Sequence, residues 1–118
     1  MLRIATFNIR HGRGHDGTVD LQRTAGVVTA SRAHIVFLNE VDRHWPRSGN
    51  EDQTARLADL TAMPHAYFAP ALELVPFLGK YTPQYGNAVL SSVPWSEIDV
   101  IPLPRRGGLE PRNMIRVR

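Results

Sequence analysis

The chain contains no cysteine, which excludes disulfides and thiolate zinc sites but says little about compartment. No apolar run approaches the roughly 18 residues of a transmembrane helix. The start, M-L-R-I-A-T-F-N, turns polar too soon for a secretory signal, so a cytoplasmic location is expected, with secretion left open. Lysine is nearly missing: Lys80 is the only one, so the basic side is almost wholly arginine. Repeats, low-complexity tracts and an internal linker are also absent.

What is present is ordinary for a globular domain. The 118 residues, 42% hydrophobic and 21% charged, suit one domain with a modest core. The net charge of +3 and pI near 10.0 are compatible with a phosphorylated or polyanionic partner. Genome base composition is the better explanation of the arginine bias. The arginines are scattered apart from Arg105-Arg106 and Arg112, Arg116 and Arg118, whereas a nucleic-acid footprint is concentrated.

Hydrophobic patterning predicts βαβα followed by a β-meander. Residues 2–8 read as a buried strand, and 10–17, with three glycines, as a loop. Asp20 is the expected N-cap of a helix running to about Arg32, with Leu21, Thr24, Ala25 and Val28 inward. A second strand at 34–40 then implies a crossover and parallel pairing. Residues 42–50 form a polar loop, and a short helix at 51–62 stops at Met63-Pro64. Strands are expected at 65–70 and 85–92, separated by an apolar, proline-broken segment. Residues 97–103 and 112–117 should pair antiparallel around P-R-R-G-G-L-E-P. Alternation at 112–118 stops without a cap, leaving an unpaired edge, so the chain is expected to be truncated.

Two polar residues close apolar runs: Asn8 in I-A-T-F-N-I-R-H-G and Glu40 in I-V-F-L-N-E-V-D. Strand alternation puts Asn8 on the row of Leu2, Ile4 and Thr6, and Glu40 on the row of Val36 and Leu38. A carboxylate in line with core residues needs a cation or a hydrogen-bond network. In α/β chains, ligands bind at the carboxyl ends of strands. Position alone leaves Glu40 open between a metal ligand and a solvated carboxylate paired with Arg43. Asn8 is open between a site residue and an Asx turn. His11, next to Asn8, is a candidate phosphate or leaving-group contact. Arg112 could hold a phosphate bidentately or pair with Glu110. Asp42 and Arg43 suit loop positioning, and His15-Asp16 makes a poor metal pair. His34, His44 and His65 suit structural or exposed roles, and Trp45 and Trp95 anchor loops. Gly86 in Y-G-N-A-V-L permits close backbone approach.

Taken in order, L-R-I-A-T-F-N-I-R-H-G-R-G, V-D-L, I-V-F-L-N-E-V-D-R, Y-G-N-A-V-L-S-S-V-P-W and E-P-R-N-M-I-R-V resemble the endonuclease/exonuclease/phosphatase superfamily. It includes deoxyribonuclease-type and abasic-site nucleases, inositol-phosphate phosphatases and neutral sphingomyelinases. The resemblance spans the chain but only about the first half of the family's domain. It implies an α/β (α+β) fold, half of a four-layer αββα sandwich with a mixed sheet and flanking helices. It also implies Mg2+- or Mn2+-dependent hydrolysis of phosphate esters. By motif, Asn8 matches the asparagine that hydrogen-bonds near the metal and Glu40 the glutamate that ligates it. The family's N-T-H, G-D-F-N and S-D-H strings come later in its domain, and none occurs here. The chain is therefore expected to be inactive alone, completed by pairing with a C-terminal half. The competing reading is an arginine-rich module that binds nucleic acid or another anion without catalysis.

Overall fold

The computed structural model describes residues 1–75 and 81–118. Lys80 and the middle of the expected proline-broken segment lie outside the described residues. Four strands, β1 (Ile4–Asn8), β2 (Ile35–Arg43), β3 (His65–Glu73) and β4 (Gln84–Ser91), make one mixed sheet in the order β1-β2-β4-β3. Helices α1 (Leu21–Ser31) and α2 (Gln53–Thr61) flank it, and β5 (Ile98–Pro102) pairs antiparallel with β6 (Asn113–Val117) in a second sheet. The class agrees with the α+β expectation.

Local chemistry accounts for the helices. The Asp20 carboxylate accepts from the Arg23 N–H at 3.1 Å and starts α1. The Asp52 carboxylate does the same for the Ala55 N–H and starts α2. Each satisfies an N–H that has no partner inside the helix. Leu21, Thr24, Ala25 and Val28 are buried, as their spacing requires. Leu21, Ala25 and Val28 join Val36, Leu38, Val41, Leu57, Ala88 and Leu90 in the main core, on the helix side of the sheet. The crossover through α1 makes β1 and β2 parallel, with Asn8 opposite Asn39.

Three expectations need correction. The strands do not run as a meander: β4 inserts between β2 and β3, and β5 and β6 form their own sheet. That hairpin packs on the sheet face away from the helices, where Ile115 and Val117 join Ala69, Val89, Ile35 and Phe37. Second, β1 begins at Ile4, and Ile4, Thr6 and Asn8 lie exposed, because little of this chain covers that end of the hairpin-side face. Third, Glu40 does not continue the Val36–Leu38 row. The β2–β4 register shifts between Leu38 and Val41, and Glu40 adopts a left-handed φ of 57°. The extra residue in this bulge reverses the alternation. Val41, fully buried, takes the core position, and Glu40 is turned out of it.

Gly86 behaves as expected. A Cβ there would run into the Ala69 carbonyl oxygen and approach the Ala71 nitrogen to 2.9 Å, where β3 is irregular between Pro70 and Leu72. Among the described residues no helix is long and apolar enough to cross a membrane.

Candidate active site

The bulge brings the two strand-end residues together. The Asn8 Nδ2 donates to Glu40 Oε1 at 3.1 Å, while Asn8 Oδ1 accepts from the Arg10 N–H at 3.1 Å. Asn8 therefore does two things at once: it makes the turn that opens the glycine loop, and it fixes one oxygen of Glu40. That turn is tight. Arg10, His11 and Gly12 follow one another at φ 48°, 46° and 80°. Left-handed conformation is costly for the two residues with side chains, and such strain clusters at functional sites.

Both residues face a cleft of about 360 Å³, which Asn39, Tyr85, Asn87, Glu110, Arg112 and Asn113 also line. Across its floor runs a chain of amides that sequence reasoning missed. Asn39 Nδ2 donates to Asn87 Oδ1 at 3.1 Å, and Asn87 Nδ2 donates to the Asn113 carbonyl and Oδ1, both at 2.9 Å. Asn113 Nδ2 in turn donates to the Ala69 and Pro70 carbonyls at 3.2 and 3.1 Å. Each amide has one donor end and one acceptor end, so the chain fixes their orientations in series. The available signal was a polar residue on the Asn8 face of each apolar strand, Asn39 directly before Glu40 and Asn87 directly after Gly86.

Asp42 is fully buried and holds the loop that follows β2. Its two oxygens accept from Arg47 Nε and Nη2 at 2.9 and 2.8 Å, and Ser48 Oγ donates to it at 2.8 Å. The Arg47 guanidinium lies over Trp45 at 4.4 Å and near the Tyr85 ring at 5.3 Å. Burial first, then the charges of Glu40 and Glu110, push the Tyr85 phenol up to about 12. It thus stays a protonated donor at the cleft wall.

The remaining sequence candidates fall in different places. Arg112 lines the cleft and pairs with Glu110 at 3.6 Å. His11 is not among the residues that line the cleft, and burial, then the Arg47 charge, lower its pKa. Arg43 pairs with Asp52 at 3.4 Å. Asp16 of the His15-Asp16 pair is held by Arg23 at 2.9 Å. His34 accepts from the Arg3 N–H, His44 stacks on Tyr81, and Trp95 packs with His65 and the second core.

A divalent cation is a reasonable tenant of the cleft by donor chemistry. Asn8 engages one Glu40 oxygen, and no protein donor reaches the other among the described residues. Glu110 lines the same cleft, and its oxygens and the amide oxygens are hard donors. No cluster of three or more His, Cys, Asp or Glu gathers among the described residues. A magnesium-type ion bound by one or two carboxylates, waters and a substrate phosphate needs none.

Residues 5–118 match the model described as Endonuclease/Exonuclease/phosphatase family. The fold superposes with a TM-score of 0.81 on a crystal structure described as an endonuclease/exonuclease/phosphatase from Beutenbergia cavernae, at 35% identity. That match covers 98% of this chain and 33% of the other, so the chain spans about a third of that protein's length. A second solved structure, an endonuclease/exonuclease/phosphatase family protein from Leptotrichia buccalis, matches with a TM-score of 0.68 at 11% identity. It is covered to 49%, with 99% of this chain, and at that identity shows the shared fold alone. No curated protein matches the chain.

Proposed function

Because the chain belongs to the endonuclease/exonuclease/phosphatase family, we propose that it carries the Asn8–Glu40 half of a phosphoesterase active site. The observation that carries this is the 3.1 Å contact between Asn8 and Glu40, made across adjacent parallel strand ends by a left-handed bulge. A carboxylate turned out of the core and pinned at one oxygen is oriented for a ligand at the other. Glu40 would hold Mg2+ or Mn2+, with Glu110 within the same cleft. When bound, such an ion neutralises charge on phosphoryl oxygens and acidifies water.

The chain's own residues supply orientation. Asn8 keeps Glu40 from rotating, and the Asn39–Asn87–Asn113 relay holds the floor of the cleft rigid. Arg112 stands at the rim, where its guanidinium could leave Glu110 for a phosphate. Tyr85 offers a neutral hydroxyl donor. His11, set back from the cleft, would reach only a group that extends past Asn8.

We place the water-activating base and the second half of the metal site on a further segment that completes the fold. Support comes from the uncovered end of the hairpin-side face and from the one-third coverage of the Beutenbergia cavernae structure. On this reading the chain is the N-terminal part of the domain and is inactive alone. The binding-module alternative draws less support, since six arginines, at positions 23, 43, 47, 112, 116 and 118, are each paired with a carboxylate.

Calorimetric titration of the chain with Mn2+ tests the metal half of the proposal. Binding that Glu40→Ala removes is expected, and equal binding by both chains would overturn it. Phosphodiesterase turnover with Mg2+ should be near background for the chain alone and appear on co-expression with a segment carrying N-T-H, G-D-F-N and S-D-H. Robust turnover by the chain alone, abolished by Glu40→Gln, would keep the hydrolase and remove the fragment reading.

A further inference from the structure

Gln53 is the first residue of α2 and is fully buried, unusual for a long polar side chain. Both ends of its carboxamide are used. Oε1 accepts from the Asp42 N–H at 2.9 Å, and Nε2 donates to the His11 carbonyl at 2.8 Å. The orientation is unambiguous, because a backbone N–H can only donate and a carbonyl can only accept.

The two bonds reach the two segments that shape the site. Asp42 lies two residues beyond Glu40, and His11 three beyond Asn8. Both segments depart from ordinary backbone, at the left-handed Glu40 and at the consecutive left-handed Arg10, His11 and Gly12. Such conformations persist only where the surroundings over-determine them. Besides Asn8, Gln53 is the one side chain among the described residues that hydrogen-bonds into both segments.

We propose that Gln53 is a positioning residue: it clamps the loop after Asn8 to the strand end after Glu40 and so maintains the Asn8–Glu40 contact. A carboxamide does this whatever the pH. An ionised glutamate in its place accepts from Asp42 but turns a lone pair on the His11 carbonyl, and only its protonated form could make both bonds. A methionine of similar length leaves both buried backbone groups without partners. The identification of the contact as a metal site rests on the function proposed above; the clamp itself does not.

The test uses the 15N-labelled 118-residue chain and two variants, Gln53→Met, which can make neither bond, and Gln53→Glu, read across pH because its protonated form could make both. In the unaltered chain, the Asp42 N–H and the Gln53 side-chain amide protons should exchange slowly with solvent. Rapid exchange of both would overturn the clamp without any variant, so failure of a variant to fold leaves it testable. In folded variants, with α2 intact by circular dichroism, the Asn8 side-chain amide protons should exchange roughly five- to tenfold faster, about the loss of one hydrogen bond. Mn2+ affinity should fall by a similar factor. Reduced stability with unchanged Asn8 exchange and Mn2+ affinity would make Gln53 a purely structural buried amide and overturn the proposal. If the unaltered chain binds no Mn2+, the metal reading fails, while the Asn8 exchange still decides the clamp.

Discussion

The two faces of the four-stranded sheet are built from the same strands and differ completely in closure. On the helix side, Leu38, Leu57 and Leu90 have no exposed surface, and the side chains of α1 and α2 interlock with β2 and β4. On the other side the β5–β6 hairpin covers Ala69 and Val89, but Leu2 and Ile4 remain 57% and 60% exposed. The closed face buries the main core, while the open face has Asn8 and Asn39, of the proposed site, along its rim.

The contrast can be broken by substitution. Leu38→Ala on the closed face should cost about 2–5 kcal/mol by denaturant unfolding, because its neighbours cannot fully collapse into the space. A cost near zero would mean that the helix layer is loosely packed. Gly86→Ala should cost less, about 1–3 kcal/mol, since the added methyl meets backbone at the β3 irregularity and forces a shift. Ile4→Ala on the open face should change stability by under about 0.5 kcal/mol in this chain alone. A cost several times larger once a completing segment is co-expressed would sharpen the comparison, and an unchanged cost would remove it.

The smallest effect lies in the loop between Asn8 and α1. Burial disfavours the charged form of His11, and Arg47 disfavours it further, so its titration midpoint by NMR should lie below 6.5. The sign follows: the unfolded chain binds this proton more readily. Stability is therefore undiminished above about pH 6.5 and slips as pH falls toward the lowered midpoint. Arg47→Ala should move the midpoint back upward in part.

Much of this was legible from residues alone. Asp20 as a cap, the α1 stripe, the β1–β2 pairing and the close approach at Gly86 depend on neighbours within a turn or on the period of the apolar positions. Asn8 and Glu40 could be picked out because each terminates such a run. Glu40 was nevertheless assigned to the wrong row, since alternation carries no warning of an inserted residue. The Asn39–Asn87–Asn113 relay and the Gln53 clamp were invisible because each amide, by itself, looks like any surface amide.

The sequence by itself indicated the order of helices and strands and the two strand-end residues of the proposed site, although β2 runs on to Arg43 and β3 to Glu73, past the ends expected for them. Those are local matters of periodicity, capping and the polarity that ends an apolar run. Only the tertiary structure decided that Glu40 faces Asn8, because a bulge is defined by the partner strand it fails to match. It also decided which sheet face stays open, since burial depends on what packs against a strand, and no single segment encodes its cover.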